Sequence, residues 1–183
     1  RFEGASRSVV GGEELYPPLT VHGRRPLRPI RYEMPVASAQ VKSAILFAGL
    51  AAEGRTTVVE AHPTRDHTER MLRCFGVPLH EALGSVSIDP GPLVAPGSLA
   101  IPGDFSSGAF WIVAASCIAG SRLELVDLGL NPTRTGMLDV LTRMGASLCS
   151  VVTLNVWEPR GTLHVEARPL RATAVEAAEA PRV

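Results

Sequence analysis

Two long apolar runs alternate with short β-branched segments along this chain. Residues 41–52, "VKSAILFAGLAA", are apolar at nearly every position, and residues 110–120, "FWIVAASCIAG", form a second such run. Both predict helices buried on all sides, because a surface helix carries an apolar stripe and not an apolar circumference. Neither run is long enough to span a bilayer. "TTVVEA" (56–61) and "LELVDL" (123–128) cluster β-branched and apolar residues and predict strands. Met71 and Phe75, then Met137, Leu141 and Met144, recur at helical spacing on one face. Gly76 and Gly145 follow where a helix C-cap glycine belongs. Shorter strand-like pieces come after each of these helices, at 79–90, 147–159 and 162–167, and residues 19–22, "LTVH", read as the last strand of an earlier unit.

These elements form an internal repeat. Residues 38–77 lie over residues 104–146: a polar helix mouth, an apolar helix, a glycine (Gly54, Gly120), a strand, Pro-Thr-Arg (63–65 and 132–134), a second helix and a closing glycine. The copies are 66 residues apart at the first glycine and 69 at Pro-Thr-Arg, so the second copy carries three extra residues in its strand or loop. That period exceeds those of common solenoid repeats. It predicts an α/β (α+β) architecture of repeated βαβαββ units, with the boundary between them in 94–107, where two Pro-Gly pairs fall close together.

Composition narrows the classes of function. With 183 residues, 45% hydrophobic and 20% charged, the chain can bury a substantial core. Its formal net charge is zero, so no global field recruits nucleic acid or a membrane surface. Among the basic residues, 17 are arginine and Lys42 is the one lysine. Cys74, Cys117 and Cys149 are odd in number and show no CxxC spacing, which argues against a disulfide framework or zinc site and for a reducing compartment. The first residues contain neither an initiator Met nor an apolar signal core, so the chain reads as one that begins in mid-protein.

The candidate chemistry sits at the helix mouths. A helix N-terminus presents unpaired N–H groups and a partial positive charge, and it accepts anions readily. Ser38 can cap the first apolar helix, with Gln40 and Lys42 beside it; a plain cap with both side chains in solvent is the simpler alternative. In "HPTRDHTER", Thr64 or Asp66 is a plausible N-cap, and Glu69 would complete a capping box from Asp66. Arg65 then stands at the positive end of a helix dipole, a place that a bound anion would favour and that a salt bridge to Asp66 or Glu69 would also explain. Arg134 repeats that placement without an adjacent acid. Asp104 reads as the cap of the second apolar helix. His62 and His67 share no helical face, which argues against a metal site, and Ser106 and Ser107 have no neighbouring base that would make a nucleophile.

"PVASAQVKSAILFAGLAAEG", "HPTRDHTERML", "IPGDFSSGAFWIVAA" and "NPTRTGMLDVLTRMGA" resemble successive blocks of the EPSP synthase family, in the family's order and spacing from about residue 15 to 183. The resemblance implies the enolpyruvyl transferase fold, an inside-out α/β barrel of two lobes. Each lobe holds three βαβαββ units with buried helices and outer sheets. Residues 1–101 would be the latter part of one lobe and 102–183 the first part of the other, so the fold would be incomplete.

It also implies transfer of the enolpyruvyl group of phosphoenolpyruvate to the 5-hydroxyl of shikimate 3-phosphate, in a cytoplasmic enzyme that is a monomer when complete. No metal, organic cofactor, nucleic acid or membrane is implied. Ser38, Ala39 and Gln40 match the segment that holds the phosphate of shikimate 3-phosphate, Gln40 also matches a residue near phosphoenolpyruvate, and Arg65 matches a contact to shikimate 3-phosphate. Lys42 is not carried over as catalytic. The family's catalytic Asp would lie beyond Val183, and several other family blocks are absent, so no turnover is expected from these residues alone. Two alternatives remain: an enzyme acting on UDP-N-acetylglucosamine, and a non-catalytic remnant or assembly piece.

Overall fold

The computed structural model describes residues 2–183. It opens with an antiparallel hairpin of β1 (Phe2–Val9) and β2 (Gly12–Val21), turning through Gly11 and Gly12 at φ 105° and 151°. The sequence pattern marked only the end of this hairpin. Nearly every described position in both strands is exposed, so neither carries the apolar alternation by which a strand is read.

A complete βαβαββ unit follows: β3 (Arg31–Glu33), α1 (Ala39–Gly49), β4 (Thr56–Val59), α2 (His67–Cys74), β5 (Leu79–Ala82) and β6 (Ser85–Ile88). Its sheet runs β3-β4-β6-β5, with β3 parallel to β4 and the other pairs antiparallel. Met34, Leu46, Val58, Leu72, Val86 and Ile88 form its core. The second unit repeats this order with α3 (Phe105–Cys117), β7 (Arg122–Gly129), α4 (Gly136–Arg143), β8 (Ser147–Asn155) and β9 (Pro159–Glu166), in a sheet ordered β7-β9-β8. Its first strand shrinks to one parallel bridge, Gly103 to Leu128, where β3 pairs with β4 in the first unit. Phe105, Ile112, Leu128, Leu141, Leu163 and Val165 make its core. The expected insertion falls partly in β7, whose register shifts between Leu125 and Leu128 and whose Asp127 takes φ 54°. Gly76 and Gly145 take φ 75° and 97° as they end α2 and α4.

The two apolar helices differ from expectation in one respect. α1 turns Lys42, Leu46 and Gly49 inward onto its sheet and leaves Val41 and Phe47 exposed. α3 buries Phe105, Gly108, Ile112, Ala115 and Ser116, while Phe110 is 80% and Trp111 65% exposed. Each helix packs on one sheet, which can cover only one face of an apolar circumference. Among the described residues, no helix is long and apolar enough to cross a membrane.

Candidate functional site

The mouth of α1 is built by a local cap. Ser38 is extended (φ −145°, ψ 108°), and its hydroxyl accepts from the Val41 amide at 3.3 Å. The Lys42 amide donates to the Ser38 carbonyl at 3.0 Å, which closes the first helical turn. The amides of Ala39 and Gln40 come before that turn's hydrogen bonds and face its open end. Gln40 is exposed beside them.

Lys42 does not reach solvent. Its side chain is 1% exposed, and its ammonium donates to Glu69 Oε1 at 2.6 Å, Glu60 Oε1 at 3.3 Å and the Thr64 carbonyl at 3.4 Å. The other oxygen of Glu60 accepts from the Thr64 amide at 3.2 Å and the Thr64 hydroxyl at 2.7 Å. Glu69 is therefore turned inward and does not complete a capping box. Burial pushes its carboxyl above the ordinary range, and the bond to Lys42 offsets part of that shift.

Asp66 occupies the N-cap position of α2 without a side-chain cap bond. Its carboxylate accepts from Arg70 Nε at 2.9 Å, the Asn131 amide at 2.7 Å and the Thr133 hydroxyl at 3.0 Å. Partial burial pushes this carboxyl up, but the Asn131 amide, the Arg70 guanidinium and the Thr133 hydroxyl outweigh it and hold it below its ordinary value. Neither Asp66 nor Glu69 pairs with Arg65, contrary to the salt-bridge alternative. Arg65 is half-buried and forms no ion pair among the described residues.

Ser38, Ala39, Gln40 and Arg65 line one cavity of about 340 Å³ together with Thr64, Arg134, Ala180 and Val183, and among the described residues no acidic side chain lines it. A neighbouring cavity of about 420 Å³ shares Arg65 and Arg134 and extends to His67, Phe105, Ser106 and Trp157. Arg134, left unplaced by the repeat, thus faces the same space as Arg65 and donates to the Ser106 hydroxyl at the mouth of α3. At that mouth, Asp104 accepts from the Ser106 and Ser107 amides at 3.1 and 2.9 Å, the cap expected there. The Ser107 hydroxyl and these amides hold its carboxyl below the ordinary range.

What brings the two arginines together is a polar junction that the sequence did not disclose. The Asn131 amide, 1% exposed, donates to Glu158 at 3.0 Å as well as to Asp66. His67 Nδ1 lies 2.5 Å from Glu158 Oε1. The two Pro-Thr-Arg turns, equivalent in the repeat, therefore dock on one another. A buried Asn between two turns has no periodic signature. The only available hint was that Asp66 and Asn131 flank matching motifs.

A family model described as EPSP synthase (3-phosphoshikimate 1-carboxyvinyltransferase) matches residues 4–183. The 3-phosphoshikimate 1-carboxyvinyltransferase of Bacillus licheniformis is 49% identical over 174 residues, 94% of this chain and 40% of that protein. The solved EPSP synthase from Acinetobacter baumannii aligns at a TM-score of 0.78 and 38% identity, covering 99% of this chain and 40% of its own. The enolpyruvyl transferase NikO from Streptomyces tendae aligns at 0.61 and 20% identity over 91% of this chain and 40% of its own, a likeness of fold alone. The chain spans about 40% of the length of the curated relatives it matches.

Proposed function

From the premise that the chain belongs to the EPSP synthase family, we propose that it supplies the phosphate-holding part of a site for shikimate 3-phosphate. In this reading Ser38 offers its hydroxyl, Ala39 and Gln40 offer backbone amides, and Arg65 offers its guanidinium to one phosphate. Gln40 also extends an amide toward phosphoenolpyruvate. Residues 1–101 belong to one lobe and 102–183 to the other, with the substrates between them.

The reaction is addition followed by elimination. The 5-hydroxyl oxygen of shikimate 3-phosphate bonds to the central carbon of phosphoenolpyruvate, while the methylene carbon takes a proton and the hydroxyl loses one. The tetrahedral adduct then loses a proton from the new methyl group and expels phosphate, which leaves the enolpyruvyl ether. Both substrates are multiply anionic, so their approach depends on fixed cations and helix N-termini. The residues here bind and orient; no proton transfer is assigned to them.

One observation carries this reading. Among the described residues, Arg65 has no carboxylate partner, and the cavity it shares with the open first turn of α1 has no acidic side chain in its lining. A cation so placed is available to an anion. The test is phosphate release by the complete polypeptide with shikimate 3-phosphate and phosphoenolpyruvate, for the natural sequence, Gln40→Ala and Arg65→Ala. Loss of one charge-assisted hydrogen bond, at about 1.5–3 kcal/mol, raises KM for shikimate 3-phosphate about 10- to 150-fold in Arg65→Ala. An unchanged KM, or turnover with UDP-N-acetylglucosamine in place of shikimate 3-phosphate, would sink the reading.

A further inference from the structure

Arg65 has three acidic residues close to it in sequence: Glu60, Asp66 and Glu69. None of the three pairs with it. Asp66 is taken by Arg70, Asn131 and Thr133. Glu60 and Glu69 are both taken by Lys42, at 3.3 and 2.6 Å. We propose that Lys42 is a positioning residue that keeps Arg65 free for the substrate phosphate, by holding the two carboxylates that would otherwise pair with it. The proposal rests on the phosphate-site reading above and adds to it a residue that touches no substrate.

The side-chain chemistry accounts for a lysine here. In a chain with 17 arginines, this one position carries an ammonium. Its surroundings offer three acceptors, Glu69 Oε1, Glu60 Oε1 and the Thr64 carbonyl. An ammonium has three donors arranged as a tripod, whereas a guanidinium is a planar fork with five. The closed space above α1 suits the former.

The same contacts fix geometry. Lys42 lies two residues beyond Gln40 on α1, and Glu60 and Glu69 stand on either side of the turn that carries Arg65. Glu60 reaches back to the amide and hydroxyl of Thr64, the residue next to Arg65. Without the ammonium, the Glu69 and Glu60 carboxylates, at 4% and 13% side-chain exposure, lose their counter-charge on either side of the turn that carries Arg65. A charge left buried without a partner draws in whatever opposite charge it can reach.

The test is calorimetric binding of shikimate 3-phosphate to the complete polypeptide, with thermal unfolding measured in parallel. K42M removes the ammonium at similar volume, and K42M/E60Q/E69Q removes the carboxylates as well. Each is compared with and without R65A. Sequestration predicts that K42M weakens binding about tenfold, as expected for partial loss of a charged hydrogen bond. It predicts binding within about threefold of the natural protein for the triple variant, which has no carboxylate left to capture Arg65. It also predicts that K42M has no further effect once R65A is present, although K42M lowers thermal stability in both backgrounds.

Natural-level binding by K42M overturns the proposal. So does a triple variant as weak as K42M, or an undiminished K42M effect alongside R65A. If K42M does not fold, the decisive comparison is the triple variant against K42M/E60Q, which differ by the Glu69 carboxylate; equal affinities overturn the proposal. Failure of the natural protein to bind shikimate 3-phosphate, or R65A binding as tightly as the natural protein, overturns the phosphate-site reading itself and is visible without any change at Lys42.

Discussion

Asp66 shows how a residue chosen for one job can be taken over by another. Its position suits an N-cap, yet its carboxylate serves Arg70 along the helix and Asn131 and Thr133 across the junction. These partners favour the ionised form, so the folded state holds the Asp66 proton less tightly than the unfolded chain does. The stabilisation from this group is therefore complete above the ordinary aspartate value of about 4 and is lost as pH falls through the lower folded value. Urea titrations of the natural protein and Asp66→Asn should show a stability difference that is steady between about pH 5 and 7 and shrinks below about pH 4. A difference that persists undiminished to pH 2 would mean the carboxylate's charge is not what the junction uses. Ser38 and Asp104, in contrast, behave as their sequence positions suggest, because an N-cap needs only the three residues that follow it.

The strands of the second unit are held together by a glycine where no side chain fits. Gly161 in β9 faces Val151 and Val152 of β8, and a Cβ placed on it would lie 1.9 Å from the Val151 carbonyl oxygen. Backbone cannot yield as a flexible side chain would, so Gly161→Ala has to part the two strands or shift their register. We expect a loss of about 3 kcal/mol in chemical unfolding, at the upper end for overpacking, and a smaller β signal in circular dichroism. A stability within about 0.5 kcal/mol of the natural protein, the range of an ordinary surface substitution, would show that β8 relaxes at its bulge instead. Helix faces also behave differently from helix sequences. α1 and α3 carry apolar residues on more than one face, but one supporting sheet buries one face of each, which leaves Phe110 and Trp111 outward.

Among the described residues, the two repeats are joined by polar contacts between equivalent turns and not by a shared apolar core. The buried apolar residues fall into two separate clusters, one per unit. Asn131 is the central connector, since its amide bonds Asp66 of the first unit and Glu158 of the second while its carbonyl oxygen accepts from the Thr133 amide at 2.9 Å. Removing it leaves two carboxylates short of a donor in a place with little water. Asn131→Ala should cost about 2 kcal/mol in urea unfolding and raise hydrogen exchange at the Thr133 amide, with the interior amides of β4 and β9 unchanged. Uniform acceleration of exchange in both sheets would mean that the units unfold as one body and the junction has no separate stability. Arg65 and Arg134 converge only because this junction holds, so the charge of the cavity is a property of how the two units meet.

The order of elements within the two repeats, the caps of α1 and α3 and the closing glycines were legible in the 183 residues, because each depends on interactions within a few positions or on a period that recurs. Ser38, Ala39, Gln40 and Arg65 could be singled out on the same local grounds together with the family resemblance. Tertiary structure alone decided which of those groups share a cavity, that Arg134 joins them, and that Lys42 and Glu69 turn inward instead of to solvent and to a cap. It also decided which face of each apolar helix is covered. Partners 18 to 91 residues apart in the chain, such as Lys42 with Glu60 or His67 with Glu158, leave no periodic trace in a sequence. Such polar contacts strengthen where water is excluded, and that exclusion arises only once the chain has closed on itself.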